Sequence, residues 1–98
     1  MRIQMLGKRW RLRAAPNLAA RGDCDPPTQP RKEIRILSTL RGEEQLEVIL
    51  HELVHVAGWH LDESFVEQFA VDAARTLWRL GYRRSTKDQA TCRRSPSR

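Results

Sequence analysis

His51-Glu52-Leu53-Val54-His55-Val56-Ala57-Gly58 is the stretch on which the reading of this chain turns. Its first five residues have the form HExxH. On an α-helix, residues four apart lie on one face a single turn apart, so both imidazoles can reach the same Zn²⁺. The glutamate beside the first histidine then points at the ion's open position, where it can act as general base toward a water molecule. Two of the three histidines in the chain are used in this arrangement. The pattern is that of a zinc-dependent hydrolase, with His51 and His55 as metal ligands and Glu52 as the catalytic residue.

The surroundings favour a helix. Leu46, Ile49, Leu50, Leu53 and Ala57 recur at helical spacing and define an apolar stripe over 43–57. Val48, His51, Glu52 and His55 form a neighbouring stripe that flanks it and can line a cleft. Gly42 precedes the helix, Glu43 and Glu44 suit its first turn, and Gly58 ends it soon after the second histidine.

A third ligand must follow. HExxHxxG resembles the opening of the metzincin motif, and HxxxHxxG that of the YbeY-type endoribonucleases. Both place their next ligand three residues after the glycine. Here that residue is Leu61, and His60 falls one short. The other source is a carboxylate on the following helix. Residues 61–80 read as that helix, capped by Asp62, with Val66, Phe69, Ala70, Ala73, Leu77 and Leu80 on one face. Glu63 lies roughly 50° from the centre of that face and Glu67 roughly 90°. Glu63 is therefore expected near the buried side, where an unpaired carboxylate is costly and a metal would relieve the cost. Glu67 and His60 remain the alternatives. A first-turn glutamate is also favoured by the helix dipole alone. His60 and Tyr82 are candidates for oxyanion stabilisation.

The run His51 to His55, followed by Leu61-Asp62-Glu63-Ser64-Phe65-Val66-Glu67-Gln68-Phe69-Ala70, resembles small bacterial and phage zincin-like proteins. It is similar too to the ImmA/IrrE class, in which an E-x-x-A-x-x-F-A helix supplies the third ligand. Aligning Phe69-Ala70 with that F-A pair puts the family's glutamate on Glu63, although Val66 stands where the class has alanine and the intervening loop is shorter. The resemblance covers about residues 33–81. It implies a minimal gluzincin-like metallopeptidase with Zn²⁺ as cofactor and a protein or peptide as substrate. It also implies a sheet behind the active-site helix, with residues 33–37 as the edge strand that pairs with extended substrate.

The rest of the chain fits one small α+β domain. Ile3 and Met5, then Gly7-Lys8, then Trp10, Leu12 and Ala14 alternate as two strands joined by a tight turn. Residues 15–32, with Pro16, Gly22, Pro26, Pro27 and Pro30, read as a long irregular connection, and Gly22-Asp23-Cys24-Asp25 as turn chemistry rather than a metal site of Cys24 with Asp23 or Asp25. Residues 32–37 alternate as a third strand. The expected fold is thus a zincin-like, three-stranded sheet, a hairpin plus one strand, packed on the HExxH helix and a following ligand helix. Residues 1–81 make the domain and 82–98 a basic, disordered tail.

Net charge is +6 and uneven: residues 1–22 hold six Arg/Lys without an acid, and 82–98 hold six against Asp88. Such arms suit weak nucleic-acid contact, and with it a metal-dependent nuclease or a basic regulatory protein with a non-catalytic zinc site as alternative functions. Cys24 and Cys92 are too few for a disulfide framework. No apolar run matches a membrane span or a leader, so a cytoplasmic protein without membrane contact is expected. Affinity alone does not select zinc over its neighbours.

Overall fold

The computed structural model describes residues 1–85, and most of the tail expected at 82–98 lies outside them. Two strands come first, β1 (Arg2–Met5) and β2 (Lys8–Ala15), paired antiparallel through a two-residue turn. That turn is Leu6-Gly7, one residue earlier than expected. Both residues have positive φ, 52° and 76°, the twist that tight hairpins need.

The connection after β2 is not wholly irregular. Gly22–Cys24 forms a further strand, β3, ahead of β4 (Glu33–Leu37), so the sheet has four strands rather than three. Their order is β1-β2-β4-β3, with β4 parallel to β2 and antiparallel to β3. The chain passes beyond the slot beside β2, runs back as β3, and then fills the slot with β4. Residues 33–37 are therefore an inner strand, hydrogen-bonded on both sides. The expectation that they form the substrate-pairing edge is incorrect, and β3 is the edge on that side. Central position explains the burial of Ile34 and Ile36, 0 % and 6 % exposed.

Two helices follow, α1 (Gly42–Ala57) and α2 (Glu63–Arg79), in three layers: the sheet, α1, then α2, which meets α1 and no strand. As the middle layer, α1 is covered on two sides, and this alters which residues are deepest. Val48, Glu52 and Val56, spaced four apart, are its buried residues, whereas Ala57 is exposed and Leu46, Ile49, Leu50 and Leu53 are half-buried. Of the stripe read as flanking the core, Val48 and Glu52 are thus among the deepest residues of α1, while His51 and His55 are half-buried. With Trp10, Ile34, Ile36 and Leu40, Val48 and Val56 make the main cluster. On α2, Val66 and Ala70 are buried as expected together with Ala74, but Phe69 and Leu80 face solvent.

Among the described residues no helix covers the outer face of the sheet, which is held by charge. Arg35 on β4 donates to Asp23 (2.6 Å), Asp25 (2.8 Å) and Glu33 (3.0 Å), and Arg13 joins Glu33 from β2 (3.2 Å). These guanidiniums hold the Asp25 and Glu33 carboxyls below their ordinary values. A lowered carboxylate pKa stabilises the fold above the unfolded-state value, and that contribution is lost as pH falls through the native one. Urea midpoints followed from neutral pH into the acid range should accordingly fall. In Arg35→Ala the midpoint should start lower and show a shallower acid limb.

A candidate metal centre at the end of the first helix

α1 carries His51, Glu52 and His55 on adjoining faces. The two imidazoles lie one turn apart, ring centroids 4.7 Å and planes inclined by 65°. Gly58 ends the helix, its N–H donating to the Val54 carbonyl at 2.9 Å, and Leu61 N–H closes the following turn on the Gly58 carbonyl at 2.9 Å. A Cβ at residue 58 would meet the exposed Leu61 side chain, Cδ1 at 2.5 Å, so a larger residue there would oblige that leucine to move. Asp62 then starts α2 by accepting from the Ser64 backbone N–H at 3.2 Å. The Ser64 hydroxyl donates to the same carboxylate, and these bonds hold Asp62 below its ordinary pKa.

This short turn returns Glu63 over the histidines. Glu63 Oε2 lies 3.1 Å from His51 Nε2, and Oε1 lies 2.9 Å from His55 Nε2. One ligand atom from each of the three residues falls within 4.8 Å of the others. Donors bound at about 2.0–2.1 Å around a tetrahedral ion stand roughly 3.3 Å apart, so the N···O separations, which run to different oxygens of the carboxylate, would widen slightly to admit one. Two imidazoles and a carboxylate are also a donor set that zinc accepts. The reason given for Glu63 from the sequence is nevertheless wrong: its side chain is 66 % exposed, and position rather than desolvation brings it to the histidines. Glu67 and His60 are exposed and belong neither to this group nor to the cleft around it.

The cleft encloses about 530 Å³ between α1, the 59–61 turn and β3. Glu52 is its deepest charged residue, 6 % exposed. Burial pushes the Glu52 carboxyl up, an effect opposed by a hydrogen bond from the Cys24 thiol and by the neighbouring histidines. The thiol is pushed up to about 12, chiefly by burial and then by the Glu52 charge, so it stays protonated and acts as a donor. Cys24 thus serves Glu52, and Asp25 is engaged by Arg35. These contacts do not form the Cys24–Asp metal site considered from sequence. Tyr82 lies away from the cleft, in a second cavity, and so is not placed for oxyanion stabilisation.

The contribution of β3 escaped the sequence reading. Gly22 and Cys24 pair with Ile36 and Ile34 on the inward face, while Asp23 pairs with Arg35 on the other. A Cβ at Gly22 would stand 2.8 Å from Val48 Cγ1, 3.2 Å from the Arg35 carbonyl and 3.3 Å from Glu52 Oε2. A glycine inside an extended segment is a sign of such close approach. Gly22→Ala should therefore lose about 1–3 kcal/mol in chemical denaturation, the range for overpacking a filled core. An unchanged midpoint would show that β3 can move off α1 at no cost.

No family model, curated protein or solved structure matches the chain. No helix among the described residues is long and apolar enough to cross a membrane.

Proposed function

We propose that the protein is a zinc-dependent metallopeptidase in which His51, His55 and Glu63 hold the ion and Glu52 is the general base. The observation that carries this reading is the meeting of one carboxylate with two imidazole Nε2 atoms beside a buried glutamate. Zinc, when bound, supplies Lewis acidity toward a carbonyl oxygen and an acidic water. Glu52 takes a proton from the attacking water and passes it to the leaving amine. Glu52 lies buried in the cleft beside both histidines, and the Cys24 thiol steadies its carboxylate.

Substrate in extended form would lie along the free edge of β3, using its unpaired backbone groups. The lining also separates peptide from nucleic acid. Among the described residues the cleft is lined by Asp23, Glu52 and Glu63, with Trp59 and Leu61, and by no lysine or arginine. A phosphodiester would meet like charge there, whereas an apolar side chain next to the scissile bond would meet Trp59 and Leu61.

The test is hydrolysis of a fluorogenic peptide library by zinc-loaded protein. Cleavage beside bulky apolar residues, lost on chelation and restored by zinc, is expected. Failure to cleave any peptide, with cleavage of a nucleic-acid substrate instead, would replace the peptidase by a nuclease.

A further inference from the structure

A second cavity, of about 350 Å³, lies away from the metal cleft, near the start of α1 and the end of α2. That volume is within the range of small-ligand sites, roughly 300–1,000 Å³. Its walls combine Leu46 and Ile49 with the rings of Trp78 and Tyr82, and Arg41, Arg83 and Arg84 stand around it. The arginines differ in what they do. Arg83 lies over the Trp78 ring at 3.4 Å from its centroid and donates to the Trp78 and Tyr82 carbonyls, so the two side chains form one flat, cationic platform. Arg41 uses one nitrogen on the Ser38 and Leu40 carbonyls. Arg84 has no ion-pair partner among the described residues, and Tyr82 is 64 % exposed.

Exposed aromatic surface interleaved with guanidiniums is the combination that binds unpaired bases: the rings stack on the base and the charges meet the flanking phosphates. Among the described residues no acidic side chain lines the cavity, in contrast to the metal cleft. The charge of the whole chain, +6, favours a polyanion as the occupant. We infer that this cavity is a binding site for single-stranded nucleic acid, in which a base stacks against Tyr82 and the Trp78–Arg83 platform while Arg41 and Arg84 face its phosphates. The site is separate from the proposed zinc centre and does not depend on it.

Fluorescence anisotropy of the full-length protein with a labelled thymine oligonucleotide, single-stranded or in duplex, tests this. The single strand should bind more tightly than the duplex. Tyr82→Ala should weaken it about tenfold, the lower part of the range for one stacked base, and Tyr82→Phe should not. Arg84→Ala should weaken it and lower the slope of log K against log salt by about 0.7. Both positions are exposed, so unchanged far-ultraviolet circular dichroism is expected of the variants. No binding by the wild type, equal binding of duplex, or affinity indifferent to Tyr82 and Arg84 would each overturn the inference. Stronger binding of an acidic aromatic peptide at the same residues would overturn it as well, in favour of a protein partner.

Discussion

Glu52→Gln is expected to keep zinc and to lower peptide hydrolysis at least about 100-fold, the smaller end of what a positioned general base contributes. The amide has nearly the same shape as the carboxylate and can still accept the Cys24 thiol hydrogen, so the wall of the cleft is preserved. What is lost is the ability to take a proton. The same variant should also be more stable than the wild type when both are metal-free. Burial raises the Glu52 pKa, so the native state holds a proton there more tightly than the unfolded chain. Folding at neutral pH is then opposed by the ionised group, a cost absent below ordinary carboxylate values and present above them. Lower activity together with a higher thermal midpoint is the signature of a group kept for chemistry at the expense of stability. Normal cleavage by Glu52→Gln would remove the base from this residue.

Glu63→Ala should lose both zinc and turnover. Atomic absorption on the purified wild type should give about one zinc per chain, and the thermal midpoint should rise with added zinc. At a free concentration one hundred times Kd the gain is about 2.7 kcal/mol. In Glu63→Ala that rise should shrink or vanish, because two histidines alone leave the ion without its anionic ligand. The metal-free variant should fold nearly as well as the wild type. Glu63 is largely exposed, so its contacts with the two imidazoles contribute little, and the favourable placement of an acid in the first turn of α2 adds a further small amount. Glu67→Ala should retain metal and activity, since Glu67 stands outside the ligand group. Full zinc content in Glu63→Ala, with loss in Glu67→Ala or in a His60 variant, would move the third-ligand role accordingly.

The two helices and the residues now grouped at their junction were legible because each rests on a local rule. HExxH spacing, Asp62 as cap and Gly58 as terminator all act within a turn or two of the residue concerned. The sheet was harder to read. β3 is three residues long and includes Gly22 and Asp23, types that favour turns, and its strand character comes from pairing with β4. The depth of Glu52 was hidden for a similar reason. Helical periodicity finds one apolar side, but α1 lies between a sheet and a helix, and the side facing β3 includes a carboxylate. The exposure of Glu63 shows the reverse case: the residue that meets the two histidines was expected there on the ground of a burial that it does not have.

The late insertion of β4 between β2 and β3 bears on how the molecule acquires its shape. The β1–β2 hairpin and the α1–α2 pair join neighbours along the chain and need little loop closure, so they can form quickly. The centre of the sheet has to wait until residues 16–32 have been traversed and the slot beside β2 has been filled. Until then β3 has no strand to pair with, and the wall that shields Glu52 is missing. On refolding, a full-length chain would therefore hold its histidines on a formed helix before its cleft exists, and competence to react would be among the last properties that folding delivers.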